Sequence, residues 1–426
     1  MSSKKNELLY DVHEKPPVAT WAALSFQHVF AMFGATVLVP ILTGLPVSVA
    51  LFASGLGTLI YILATKAKVP VYLGSSFAYI SAVMIAKESM GGDVSAAQTG
   101  LILVGLVYVA VALIVKVIGK GWVDRMLPPI VIGPMIIIIG LGLAPVAVSS
   151  AGFIDGGDYR VILTAITTFV ITATVMTVAK GFLKIVPFIV GIMGGYLVAL
   201  SLGLIDLSTI ASAPWFAIPE FYFPFQIGNF HTYQLYFGPE TWVIVPIAIV
   251  TISEHIGDHT VLGKICNKNF LKDPGLDNTL IGDGIATSVS AFLGGPANTT
   301  YGENTGVVGL TRVASVWVTG GAAVLAITIS FIGKVSAIIS SIPWAVLGGM
   351  SIILYGFIAS NGLRVMVDEK VDFSKRRNVI IASSMLVLGL GGAMFKLVGL
   401  ASLSGTALAA IVGVTLNLVL PLEEKE

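Results

Sequence analysis

Apolar stretches of membrane-spanning length recur along almost the whole chain, divided by short polar or Gly/Pro breaks. About 20 apolar residues in a helix cross the hydrocarbon core of a bilayer. The stretches are 20–43, 47–65, 71–86, 97–115, 126–146, 161–179, 185–204, 242–261, 279–294, 301–312, 313–332, 344–359, 378–394 and 401–422. Of the 426 residues, 56% are hydrophobic and 11% charged; soluble domains carry about 25% charged residues. A soluble chain of this length could not cover its surface with so few charges, so its solvent is lipid. The 47 glycines agree, because Gly is more frequent in membrane helices than in soluble ones. The expected fold is an all-α polytopic membrane protein with about 14 spans.

Several function classes fall away. A net charge of +1 leaves no basic footprint for nucleic acid. The lone Cys266 forms no intrachain disulfide and cannot build a zinc or iron–sulfur site. No P-loop occurs, and no nucleophile or metal cluster suggests an enzyme. No cofactor is expected. The first 19 residues are polar and lead into a full-length span, so no cleavable signal peptide is expected.

Charge sets the orientation. With an even number of spans, all Lys and Arg except Lys87, Arg160, Lys334 and Lys396 fall on the side of the two termini. Basic residues concentrate in cytoplasmic loops, so both termini of this multi-pass chain are predicted to be cytoplasmic. The longest loop, 206–241, lies outside, lacks Lys and Arg, and separates two equal halves. An odd number of spans per half inverts the second relative to the first, the plan of many secondary transporters. Gln27-His28-Val29 in the first span echoes Glu254-His255-Ile256 in the eighth. The third span opens with Tyr72-Leu73-Gly74-Ser75-Ser76, and the tenth is short and polar. These defective spans hold corresponding positions in the two halves, which points to a transport site.

Four acids lie within spans: Glu254, Asp258, Asp283 and Glu303. Intramembrane acids are costly and persist where they face a cavity or a partner. Glu254 and Glu303 are the first candidates for substrate contact. Asp258 shares a helix face with Glu254 but sits nearer the cytoplasmic end, where it is solvated or structural. Asp283 is assigned a structural or relay role. His28 and His255 either shuttle protons or brace helices; His259 is expected to be wet, and His13 and His231 to lie in loops. The polar segment Asn298-Thr299-Thr300-Tyr301-Gly302-Glu303-Asn304 and the segment Gly74-Ser75-Ser76-Phe77 each begin a half-helix, whose free N–H groups would grip carbonyl oxygens. Phe77 and Tyr301 could sandwich a planar ring. Donors from the half-helices and acceptors from the acids together suit a nucleobase. An acid taken out of water can load and release a proton; Na⁺ could use the same carboxylates.

At these residues the chain resembles the nucleobase/ascorbate transporter family, and within it the bacterial uracil permeases. Gln27-His28, the run Asn304-x-Gly306-x4-Thr311-Arg312, Tyr72-Leu73-Gly74-Ser75-Ser76-Phe77 and Asn298 to Asn304 carry the likeness. The resemblance implies a 7+7 inverted repeat with half-helices and short antiparallel strands in segments 3 and 10. It implies a cytoplasmic tail (1–19), a core domain (20–120 and 242–340), a gate domain (121–205 and 341–422) and the outer linker 206–241. It assigns Glu254 and Glu303 to the base and to proton coupling, with Asp258 as a further candidate for both. The amides of Phe77 and Gly302 would meet base carbonyls, with Ser76 and Tyr301 nearby. Tyr355 would face the site from the gate, while Gln27, His28, Asn304 and His255 are gating or structural. Relatives are often dimers through the gate domain, so a homodimer is expected. One departure is Asp258 itself, where uracil-transporting relatives carry His; His259 is displaced by one residue, about 100° around the helix. Purine-transporting relatives usually have Gln in place of Glu303. The resulting expectation is proton-coupled uracil import, with a xanthine or urate carrier and an anion exchanger as alternatives.

Overall fold

A computed structural model describes residues 8–180, 183, 186–396, 402–403 and 405–421. Lys4, Lys5, Lys184 and Lys425, used above to orient the chain, lie outside the described residues, as do parts of the 1–19 tail and of the last span.

The chain is a helical membrane protein. The first half contains α1 (Val18–Thr43), α2 (Val47–Ala64), strand β1 (Leu73–Ser75), α3 (Ile80–Ser89), α4 (Ser95–Ile118), α5 (Pro129–Gly142), α6 (Tyr159–Val178) and α7 (Pro187–Ser201). The second contains α8 (Ala248–Cys266), α9 (Leu276–Phe292), strand β2 (Asn298–Thr300), α10 (Gly302–Thr311), α11 (Val316–Ser330), α12 (Trp344–Asp368), α13 (Arg376–Leu390) and α14 (Gly405–Val419). Each half thus places a short strand immediately before its third helical segment. Among the described residues, seven helical stretches are long and apolar enough to cross a membrane unaided. The others are shorter or interrupted.

Local chemistry sets the ends. Gly44, at φ 65°, turns the chain out of α1 in the left-handed conformation and returns its N–H to Ile41 and Pro40. Pro129 opens α5, where its missing donor costs nothing. The Asp158 carboxylate caps α6 by accepting from the Arg160 amide at 2.9 Å.

Some boundaries differ from the sequence expectation. The twelfth span, expected to end at 359, continues to Asp368, and the eighth, expected to end at 261, continues to Cys266. A helix satisfies its own backbone, so it runs past the apolar slab and carries Lys264 and Arg364 beyond it. The expected start of the eighth at 242 falls in a prelude of Pro239–Trp242 and the 3-10 turn Val245–Ile247, where Pro246 removes a donor. The 206–241 loop also contains structure: a short helix, Ser208–Ser212, and strands Tyr222–Phe223 and His231–Thr232. His231, expected in a loop, lies in the last of these, stacked on Tyr222.

Packing interleaves the halves. The broadest contacts join α4 with α9, α2 with α11 and α9, and α1 with α11; elsewhere they join α5 with α12, α6 with α7 and α12, and α13 with α14. Gly105 of α4 and Gly284 of α9 lie backbone to backbone: a Cβ on either would meet the other's carbonyl oxygen. Such small-residue contacts replace the hydrophobic drive that helices lack in lipid. The faces of α4 and α6 turned outward are apolar, with Leu106, Leu113, Val117, Leu163 and Val170 exposed.

Candidate functional site

Strands β1 and β2 pair antiparallel in the protein interior, Leu73 with Thr300, Gly74 with Thr299 and Ser75 with Asn298. All six residues are buried. Extended backbone at membrane depth is tolerated only where protein satisfies it. Each strand is therefore served by the preceding helix of its own half. Leu73 N–H donates to Thr58 Oγ1 on α2 at 2.9 Å, and Thr287 Oγ1 on α9 donates to the Asn298 carbonyl at 3.1 Å. Gly74 must be glycine, because a Cβ there would enter the ring of Tyr301.

The segments that follow are tied to the first helix of the opposite half. Tyr79 and Thr251 of α8 share a hydroxyl hydrogen bond of 2.7 Å. Asn304 Nδ2 on α10 donates to the His28 carbonyl on α1 at 3.1 Å. The same exchange occurs on both sides, as an inverted repeat requires.

Beside the strands lies a cavity of about 500 Å³. Glu254 and Asp258, one turn apart on α8, form one wall with Glu303 and Gly302 of α10 and Thr299 and Thr300 of β2. Phe77 joins them from the first half, and Ile132, Ile136, Phe357 and Ile358 from α5 and α12 line the opposite, apolar wall. Lys120, Lys264 and Arg364 stand at its mouth, where Lys264 Nζ pairs with Glu369 at 2.9 Å. Thr300 Oγ1 donates to Asp258 Oδ2 at 2.5 Å. Glu254 Oε2 is buried with no partner among the described residues. No side chain caps α10 at Tyr301, so its first-turn amides present donors and partial positive charge beside Gly302 and Glu303. The arrangement offers acceptors and donors on one wall and a flat apolar surface on the other.

The remaining candidates surround this cavity. Tyr301 borders it, but its hydroxyl is engaged, donating to the Ser75 carbonyl at 3.0 Å and accepting from Thr36 at 3.1 Å. Tyr355 lies behind Phe77, edge to face at 6.1 Å, and its hydroxyl has no partner among the described residues. Ser76 is buried, its N–H given to the Ala297 carbonyl at 2.8 Å. Gln27 and His28 are buried on α1 and do not line the cavity. His255 faces away from the cavity and meets Asp283 at 2.8 Å, both fully buried. His259 is not wet: it is buried, accepts or donates at Tyr61, and lies 2.7 Å from the His255 carbonyl. A position near a helix end exposes a side chain only where no other helix covers it, and here α2 does. Sequence reading placed Thr300 in the polar segment of the tenth span without giving it a role, and missed Thr36 and Thr58. Their signal was weak, since only the strand pairing brings Thr300 to the cavity and sets Thr36 and Thr58 behind it, against Tyr301 and β1.

Comparison with known proteins agrees with this architecture. The Permease family matches residues 19–398. The uracil permease of Bacillus caldolyticus is 50% identical over 98% of this chain and 95% of its own. That of Bacillus subtilis is 47% identical over 100% and 98%, and that of Escherichia coli 42% over 96% and 94%. In fold, the transmembrane domain of the cyanobacterial bicarbonate transporter BicA matches with a TM-score of 0.65 at 15% identity, covering 94% of this chain and 100% of that one. SLC26A9 matches at 0.67 and 13%, covering 94% and 65%. These relatives by sequence are named permeases, which are transporters. This chain belongs to the Permease family and is similar over nearly its whole length to bacterial uracil permeases.

Proposed function

We propose that the protein imports uracil across the bacterial cytoplasmic membrane by proton symport, with both termini in the cytoplasm. The observation that carries this reading is that Glu254 and Asp258 on α8 meet Glu303 at the uncapped start of α10 on one wall of a single cavity. Uracil presents two ring N–H groups and two carbonyls. Glu303 accepts from the N–H edge, the amides near Phe77 and Gly302 donate to the carbonyls, and the ring lies against Phe77. Charge-assisted bonds of this kind contribute about 1.5–3 kcal/mol each. Three carboxyl groups in one cavity repel an anion unless protonated, which disfavours anion exchange. The uracil permease relatives, at 42–50% identity, favour a pyrimidine over a purine.

Protonation of Glu254, Glu303 or Asp258 accompanies uracil from outside. The core group, α1–α4 with α8–α11, then moves against the gate group, α5–α7 with α12–α14, and opens the site inward. Proteoliposomes test this directly: labelled uracil should accumulate under an inward proton gradient, resist excess xanthine, and fail to accumulate with a protonophore. Accumulation under a Na⁺ gradient alone would replace the proton as the coupling ion, and no accumulation under either gradient would overturn the uracil reading.

A further inference from the structure

The segment Leu9–Glu14, ahead of α1, does not reach the cavity, yet it is bonded to the chain just past the ends of both helices that carry the acids. At the end of α10, Leu9 N–H donates to the carbonyl of Arg312, the residue that closes the helix, at 2.7 Å; past it, Ala314 N–H donates to the Tyr10 carbonyl at 2.9 Å and Val316 N–H, at the start of α11, to the Val12 carbonyl at 2.9 Å. Ser315 Oγ adds a bond to the Glu14 carbonyl at 2.6 Å. Toward α8, Lys268 Nζ reaches both Asp11 oxygens, at 2.6 and 2.9 Å. Lys268 is itself tied to the last turn of α8, because its N–H donates to the Gly263 carbonyl at 2.9 Å. Between these two attachments Val12 is buried in an apolar cluster that includes Leu262 and Cys266 of α8 and Val308 of α10. Burial alone would push the Asp11 carboxyl up, but Lys268 and the Val12 amide outweigh it and hold the acid below its ordinary value. A connecting loop needs neither a buried valine nor a two-pronged ion pair.

We propose that Asp11, through Lys268, is a positioning residue: the 9–14 strap sets the spacing of α8 and α10 at their far ends, and so the spacing of Glu254 and Asp258 from Glu303. The proposal rests on the reading of that cavity as the uracil site. Its first test is uracil affinity of the purified full chain by calorimetry, with thermal stability measured alongside. Asp11→Ala and Lys268→Ala should each weaken binding about threefold to fivefold, as expected for losing a partly exposed pair. The double variant should be no weaker than either single, and the exchange Asp11→Lys with Lys268→Asp should restore affinity. Unchanged affinity in a folded Asp11→Ala protein, or a loss of thermal stability without any loss of affinity, would overturn it. The second test needs no ligand: spin labels at Val261→Cys on α8 and Leu310→Cys on α10 should show a broader distance distribution in Asp11→Ala. An unchanged distribution sinks the strap, whereas a parent protein that binds no uracil sinks only the assignment of the cavity.

Discussion

Asn304 and His28 are joined twice across the two halves of the chain: the Asn304 amide nitrogen lies 3.1 Å from the His28 carbonyl and 3.1 Å from its Nδ1. Both hydrogens of the amide are used, so Nδ1 accepts and the ring proton sits on Nε2. This pair holds the half-helix that carries Glu303 against α1. Asn304→Ala leaves the buried His28 Nδ1 without a donor, at a cost of about 1–3 kcal/mol, while the His28 carbonyl keeps its bond within α1. Thermal unfolding in detergent should show a clear loss, and adding His28→Ala should cost less than the sum of the singles. Strictly additive losses would show that the two residues do not act as a unit.

Glu303→Gln keeps the shape of the side chain and removes an acceptor-only group. Uracil affinity should fall roughly tenfold or more, since a lost charge-assisted bond is worth about 1.5–3 kcal/mol and 1.4 kcal/mol is about tenfold. Equilibrium binding measures this; near-normal affinity would take Glu303 out of the site.

Asp258→Asn still accepts the Thr300 hydrogen bond but cannot ionise. Uracil exchange without a gradient should persist, while accumulation driven by an imposed pH gradient should be lost. If the variant accumulates uracil as the parent does, Asp258 is not the coupling acid and Glu254 becomes the one to titrate.

The Lys264–Glu369 pair bridges α8 and the end of α12 at the cavity mouth, with side chains 57% and 41% exposed. Exposed pairs contribute about 0–1 kcal/mol, so movement of the two helices breaks it at little cost. Glu369→Gln should leave thermal stability almost unchanged, and a large drop would mark the pair as a structural brace instead.

Gly105→Leu should be severe, because the side chain would enter the Gly284 backbone. Loss of folded protein on size-exclusion chromatography is the expected result. A monodisperse, thermally normal variant would mean that α4 and α9 can separate without consequence.

Much of this protein was legible in its sequence because lipid imposes a coarse rule. Every span must hide its backbone in helix and show apolar side chains, so runs of Leu, Ile and Val announced the helices, and the two runs that broke the rule announced the site. Glu254, Asp258 and Glu303 could be singled out because a carboxyl within a membrane needs a reason to be there. What the sequence could not express was direction around each helix. His255 and Glu254 are adjacent, yet one turns to Asp283 in the interior and the other to the cavity. His259, one residue from cavity-lining Asp258, is covered by α2 and bonded to Tyr61. Thr300 became a partner of Asp258 only because β2 pairs with β1 and turns its side chain toward α8. The composition and spacing of the chain determined that it crosses a membrane, where it breaks and which acids lie inside. The tertiary structure alone decided which of those groups meet, because side chains distant in sequence are brought together only when the helices and the strand pair close around them.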